Sequence, residues 1–160
     1  GYSIGCAPIV AYHFGARNRS ELSNLLRKSV FLMSATGIVM CALAYVCAGP
    51  FAHLFVGYDA SLYALTKHAF RLFSFAFLMA GFNIFTSSFF TALNNGTISA
   101  AVSFLRTLVF QTSSVLLLPE LFGVDGIWWA ITIAECCAFV IDIVFLAVKR
   151  KKYGYTLRRI

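Results

Sequence analysis

Glu135 and Asp142 are carboxylic acids inside a run, Gly126–Val148, that is otherwise apolar, and Arg106 is the charge inside the preceding run, Ile98–Leu118. Such groups can carry a proton, bind a cation or neutralise one another. In hydrocarbon each is costly, roughly 2.5–3.5 kcal/mol at the centre of a span on insertion scales. At roughly 1.5 Å rise per residue, Arg106 lies about 12 Å and Asp142 about 10 Å from the inner ends of adjacent antiparallel helices. An Arg106–Asp142 ion pair is therefore available without strain. Glu135 falls on nearly the same helix face as Asp142, about 10 Å further out and near the midplane. It is left without an assured partner: it is either protonated through desolvation or reached by the long Arg106 side chain. Gln111 sits at similar depth on the neighbouring helix. The chemistry this implies is proton or cation coupling, with Glu135 first to test, Asp142 second, and Arg106 a fixed counter-charge. The structural alternative is a hydrogen-bond network that locks the bundle. A second polar set, Asn83, Ser87 and Thr91 with Thr86 beside it, recurs every four residues on the inner half of Ala69–Leu93. It either faces a watery pathway or bonds to neighbouring helices.

The elements that position these groups are membrane spans. The chain is 60% hydrophobic and 12% charged, and its mean hydropathy is +0.81; an ordinary soluble domain carries about 25% charged residues. About 20 mostly apolar residues cross the hydrocarbon, and four runs qualify: 29–49, 69–93, 98–118 and 126–148. Residues 1–14 are apolar but too short, and read as the end of a helix that begins earlier in a larger protein. The expected fold is all-α integral membrane, a single domain over 1–160 built as a bundle of about five helices, with 149–160 a basic cytoplasmic tail.

The net charge of +7 does not point to nucleic acid, because the bases flank apolar spans. Arg17, Arg19, Arg27 and Lys28 form one cluster and Lys149, Arg150, Lys151, Lys152, Arg158 and Arg159 the other. This is the positive-inside pattern. It places the C-terminus, the Arg17–Lys28 segment and the Asn94-Asn95-Gly96 turn inside, and residues 50–68 and 119–125 outside. Asn18–Leu26 reads as a short amphipathic interfacial helix leading into the next span. Gly49-Pro50 is expected to end that span, leaving 51–57 at the outer interface. Ser34, Gly37, Cys41, Ala44 and Ala48 form a small-residue stripe for close helix packing. Pro8 predicts a kink in the first helix, either a static bend or a hinge.

Other candidates carry less. The five cysteines (Cys6, Cys41, Cys47, Cys136, Cys137) lie within spans, lack zinc-site spacing and read as small packing residues. His13, His53 and His68 share no metal-site spacing. Trp128 and Trp129 suit an aromatic belt. No nucleophile–base pair, phosphate loop or metal motif occurs. The chain is not expected to be an enzyme or to hold a metal or cofactor, and any transport would be secondary.

The stretch Pro8-Ile-Val-Ala-Tyr-His-Phe-Gly-Ala-Arg-Asn18, with Gly1 and Gly5 before it, resembles the second helix of each half of the MATE (multidrug and toxic compound extrusion) transporters. Ser103-Phe-Leu-Arg-Thr-Leu-Val109, Leu118-Pro119, Gly123-Val-Asp-Gly-Ile-Trp128 and Lys151-Lys-Tyr153 resemble the last two helices of its MepA-like bacterial branch. The resemblance covers essentially the whole chain. It implies the end of helix eight through helix twelve of a twelve-helix, two-lobe transporter, with the N-terminal lobe as the missing partner. It also implies a multi-pass protein of the bacterial plasma membrane. The implied function is export of drugs or organic cations in exchange for H⁺ or Na⁺, with an amphipathic or cationic small molecule as substrate. The family's acids of known role lie in helices absent here or at core positions that hold no acid here, so the resemblance transfers no cation site to this chain. The alternatives are a flippase for lipid-linked oligosaccharides of the same superfamily and a non-transporting membrane scaffold.

Overall fold

The computed structural model describes residues 1–156, and every regular element among them is helical. α1 (Tyr2–Gly15) turns into α2 (Arg19–Val56). α3 (Ala60–Ser74) and α4 (Phe77–Ala92) follow, then α5 (Gly96–Phe104), a π-helical segment (Leu105–Gln111) continuous with α6 (Thr112–Phe122), and α7 (Val124–Tyr153). Three stretches are long and apolar enough to cross a bilayer alone: Arg19–Val56, Gly96–Phe122 and Val124–Tyr153. The α3–α4 pair, bent by 44°, is long and apolar enough only when its two helices are taken together. The chain is thus an all-α, multi-pass membrane protein.

The turns follow their local chemistry. Asn18 caps α2, its Oδ1 accepting from the Glu21 N–H at 3.1 Å. Arg17 before it takes positive φ, as does Asn94 in the α4–α5 turn. Asn95 then caps α5 through the Ile98 N–H. Asp59 caps α3, and the donors it accepts from (Leu62 N–H, the Ser61 hydroxyl, Ser61 N–H) hold its carboxyl below the usual range. These caps serve helix-end groups that hydrocarbon could not.

Two sequence expectations about span ends are corrected. First, α2 starts at Arg19 with no separate interfacial helix, and it runs through Gly49-Pro50 to Val56. Proline removes one backbone bond, but unwinding the helix would expose several more in a place with few replacements. Residues 51–56 therefore extend the helix. Second, the span expected at 69–93 is two helices. The break at Phe75-Ala76 is stabilised on both sides: the Ser74 hydroxyl donates to the Arg71 carbonyl at 2.7 Å, and Thr132 of α7 donates to the Leu72 carbonyl at 3.3 Å. Side-chain donors thus take carbonyls that a continuous helix would have used.

The small-residue stripe on α2 buries Gly37, Cys41 and Ala48, while Ser34 stays exposed and Ala44 is half-buried. At Gly37 a Cβ would lie 2.9 Å from the Phe77 carbonyl oxygen and 3.1 Å from that of Leu78, so α2 and the start of α4 touch backbone to side. Gly126 is tighter still, because a Cβ there would overlap the Leu118 carbonyl and the Pro119 nitrogen. The aromatic core lies toward the basic end. Phe82, Phe85, Phe89 and Phe90 of α4 pack with Leu22 and Leu26 of α2 and with Tyr153 and Tyr155.

The expected basic tail is also corrected. Residues 149–153 are the last turns of α7, and Gly154 caps it in the left-handed conformation. Tyr155 folds back to donate to the Leu146 carbonyl at 2.9 Å, and the Thr156 N–H donates to Ser23 Oγ. Arg158 and Arg159 lie outside the described residues.

Gly126→Ala should destabilise the bundle by about 1–3 kcal/mol through overpacking. Gly81→Ala, whose Cβ would meet nothing nearer than 3.7 Å, should be neutral or stabilising by up to about 1 kcal/mol. Thermal melting in detergent reads the contrast, and equal melting temperatures for the two variants would contradict the close α6–α7 approach.

Candidate functional site

Arg106 projects from the π-helical segment, Glu135 from α7 and Asn83 from α4, and the three side chains meet. Arg106 Nε lies 3.0 and 3.1 Å from the two Glu135 carboxylate oxygens, and its Nη2 donates to Oε1 at 2.6 Å. Asn83 Nδ2 donates to Glu135 Oε2 at 2.7 Å and to the Glu135 backbone carbonyl at 3.0 Å. The side chains of Arg106 and Glu135 are 25% and 10% exposed, and Asn83 is 1% exposed. A planar guanidinium engaging a carboxylate through two nitrogens suits a dry site, because it fixes geometry as well as charge. A wide turn at Leu105–Gln111 carries the arginine; such turns inside α-helices recur at functional sites.

Of the two pairings open to Arg106 in the sequence, the one with Asp142 is therefore corrected and the one with Glu135 is formed. The two helices are tied near their basic ends where Asn95 Nδ2 donates to the Tyr153 hydroxyl at 2.5 Å. Arg106 and Asp142 are the same number of residues from that tie. The guanidinium, however, sits at the end of a long side chain and reaches outward to the acid whose other side Asn83 already binds.

Asp142 stands outside these hydrogen bonds. It is 0% exposed, and neither carboxylate oxygen has a hydrogen-bond partner among the described residues. Asn83 Oδ1 is likewise buried without one. A buried carboxyl without hydrogen bonds is among the costliest groups a fold can hold as an anion, and a bound proton or cation removes that cost.

The remaining candidates separate from this cluster. Gln111 is half-buried and lines a shallow surface depression with Thr107, Thr112, Val115 and Leu116. Pro8 is exposed within α1, which is helical on both sides of it. Below Asn83 the polar set becomes an interhelical ladder. Ser87 Oγ lies 2.9 Å from Ser99 Oγ and 2.8 Å from Ser103 Oγ, and Thr91 donates to Ser99 at 2.7 Å. Cys6 and Cys41 are buried, but Cys136 and Cys137 are exposed on α7, so packing describes only some of the cysteines. His68 meets Asp125 at 3.1 Å across the far end of the bundle. Trp129 stacks on Phe75. No group of three or more metal-ligating residues gathers among the described residues.

The sequence carries no local signal for the π-helical segment, and the four-residue spacing groups Asn83 with Ser87 and Thr91 and not with Glu135. The folded-back Tyr155 had a signal in Gly154, a glycine directly after a helical run between two tyrosines.

The MatE family profile matches residues 1–115. The chain belongs to the MatE family. No curated protein matches the sequence. Among solved structures, a multidrug resistance MATE family transporter of the MOP superfamily, in an outward-facing conformation, aligns with a TM-score of 0.86 over 96% of this chain at 19% identity. The chain spans 35% of that transporter's length. This likeness establishes the fold, and the Arg106–Glu135–Asn83 cluster lies within it.

Arg106→Ala should destabilise the bundle by about 3–5 kcal/mol, because it strands Glu135. The double variant Arg106→Ala/Glu135→Gln should recover much of that loss. A double-mutant cycle on thermal melting measures the coupling; additive effects would remove the pair as a structural tie.

Proposed function

We propose that this MatE chain serves in a secondary antiporter that exports amphipathic organic cations, with Asp142 as a group that exchanges a proton or Na⁺ during transport. The observation that carries the reading is the contrast between the two acids. Glu135 is matched in charge and hydrogen bonds by Arg106 and Asn83, whereas Asp142 is enclosed and bonded to nothing described. A matched pair is indifferent to the state of the cavity around it. An unmatched acid is not: its ionisation is favourable only when water, a cation or a cationic substrate reaches it. That dependence couples two ligands through one site. The structure thus favours reversing the order of candidates expected from depth alone, with Asp142 the coupling acid and Glu135–Arg106–Asn83 the frame that positions α7. Gln111 is a candidate on the pathway wall and Pro8 a hinge candidate in α1.

The family membership and the structural likeness to a multidrug transporter support transport as the activity. The reading as a flippase for lipid-linked oligosaccharides is less well supported, since the buried guanidinium that would meet a pyrophosphate is already neutralised by Glu135. We place the basic ends of α2 and α7 on the cytoplasmic side of a bacterial plasma membrane by the positive-inside pattern. The second lobe belongs to this reading, because alternating access requires two bodies moving against each other.

In proteoliposomes holding the full-length protein, an imposed proton or Na⁺ gradient should drive efflux of an ethidium-like cation. Asp142→Asn should lower the gradient-driven rate at least roughly tenfold, the order of one lost coupling interaction of about 1.4 kcal/mol or more. It should leave substrate binding measurable by fluorescence. Wild-type rates from well-expressed Asp142→Asn protein would remove Asp142 from the mechanism, and the gradient that supports efflux identifies the ion.

A further inference from the structure

A second feature begins about one turn inward of Glu135 and runs past Asp142 to the basic end of the bundle. An apolar groove of about 440 Å³ runs between α2, α4 and α7, lined by Val30, Phe82, Phe139, Ile143 and Leu146. Its volume is in the range of small-ligand sites. Arg150, Tyr155 and Thr156 form its head. Thr156 also lines a neighbouring polar pocket with Arg19, Ser23, Asn24 and Arg27, so the apolar groove and the arginine-lined pocket adjoin across one residue.

The head of the groove is built and held. The Tyr155 hydroxyl is tied to the Leu146 carbonyl at 2.9 Å, and the Thr156 N–H to Ser23 Oγ at 3.0 Å. Arg27 donates through Nη2 to Asn24 Oδ1, and Asn24 Nδ2 donates to Glu21 Oε1 at 3.2 Å. Glu21 is the acid in this network, and it holds Asn24. Arg150 at the head of the groove and Arg19 and Arg27 in the adjoining pocket thus lie on the two sides of Thr156.

We propose that this groove binds an anionic phospholipid, with one acyl chain between α2 and α7 and the phosphate among Arg27, Arg150 and Arg19. Charge complementarity selects the occupant. A cationic drug would meet three arginines at the head, and a zwitterionic lipid would gain far less from them. The channel suits a chain because its lining is aliphatic and aromatic along its length. The basic clusters also place this end at the leaflet where anionic headgroups concentrate. The proposal is independent of the antiport reading and of Asp142.

The test uses the purified full-length protein in nanodiscs of dioleoylphosphatidylcholine with or without dioleoylphosphatidylglycerol. Phosphatidylglycerol should raise the melting temperature, and native mass spectrometry should show it retained over phosphatidylcholine. Arg27→Gln/Arg150→Gln should weaken retention roughly thirtyfold, at roughly fivefold per basic residue near an anionic surface, with unchanged melting in pure phosphatidylcholine. Ile143→Trp, which fills the channel, should abolish the same increment. On the unmodified protein, a phosphatidylglycerol bearing an acyl-chain diazirine should label peptides containing Val30 and Ile143, so the test does not depend on the variants folding. Equal effects of the two lipids, full replacement by soluble glycerol 3-phosphate, labelling elsewhere, or another segment of the polypeptide cross-linked into the groove would each overturn the proposal.

Discussion

The charge on Arg106 and the charge on Glu135 can exist in this bundle only together, and much of the surrounding architecture follows from keeping them together. A lone guanidinium or carboxylate at that depth would oppose insertion of its own helix. Three elements are therefore held at fixed distance: α4, which brings Asn83; the π-helical segment, which brings Arg106; and α7, which brings Glu135. The close approach this needs depends on small residues. Ala130, Ala134 and Ala138 are all at most 2% exposed, and side chains of that size let neighbouring helices come near enough for an asparagine to reach across.

The same requirement explains why the backbone departs from regularity where it does. Hydrocarbon offers no donors or acceptors, so each break must be satisfied from within. The α3–α4 break is served by Ser74 and by Thr132 from α7. The turn between α4 and α5 is served by Asn95, which caps α5 through its oxygen and reaches Tyr153 through its nitrogen. In each case one α7 residue or its immediate partner closes a gap in another helix. The last helix is thus a strut against which the bent elements are braced.

Hydropathy made the spans legible, and the Asn and Gly residues made their inner turns legible, because both depend on composition over a short window. Pairing was not legible to the same degree. Residue counting puts Arg106 near the level of Asp142, yet which acid an arginine chooses depends on the direction of a long flexible side chain and on a third residue, Asn83, from a helix distant in sequence. The continuity of α2 through Pro50 is hidden for a related reason. A proline's local penalty is visible in sequence, but the larger penalty of unwinding the surrounding helix in a membrane is a property of the medium. Tyr155 belongs to the same class, since its burial against Phe89 is a long-range fact that only the adjacent Gly154 hinted at.

Asp142 is the residue that local rules explain least. It continues the series Ala130, Ala134, Ala138 at a spacing of four, on one face of α7, and like them it is enclosed. An alanine there would complete a smooth packing face with no polar atom to satisfy. An aspartate instead places two oxygens without a hydrogen-bond partner among the described residues where the three preceding positions of the series hold only methyl groups, about two turns beyond an acid held by both Arg106 and Asn83. Structures tend to break their own consistency at functional positions. Packing alone favours the small apolar residue, and stability alone favours an arginine turned toward Asp142. Neither arrangement is adopted, and the Glu135–Arg106–Asn83 frame about two turns away is the fixed body against which any change of charge at Asp142 would act.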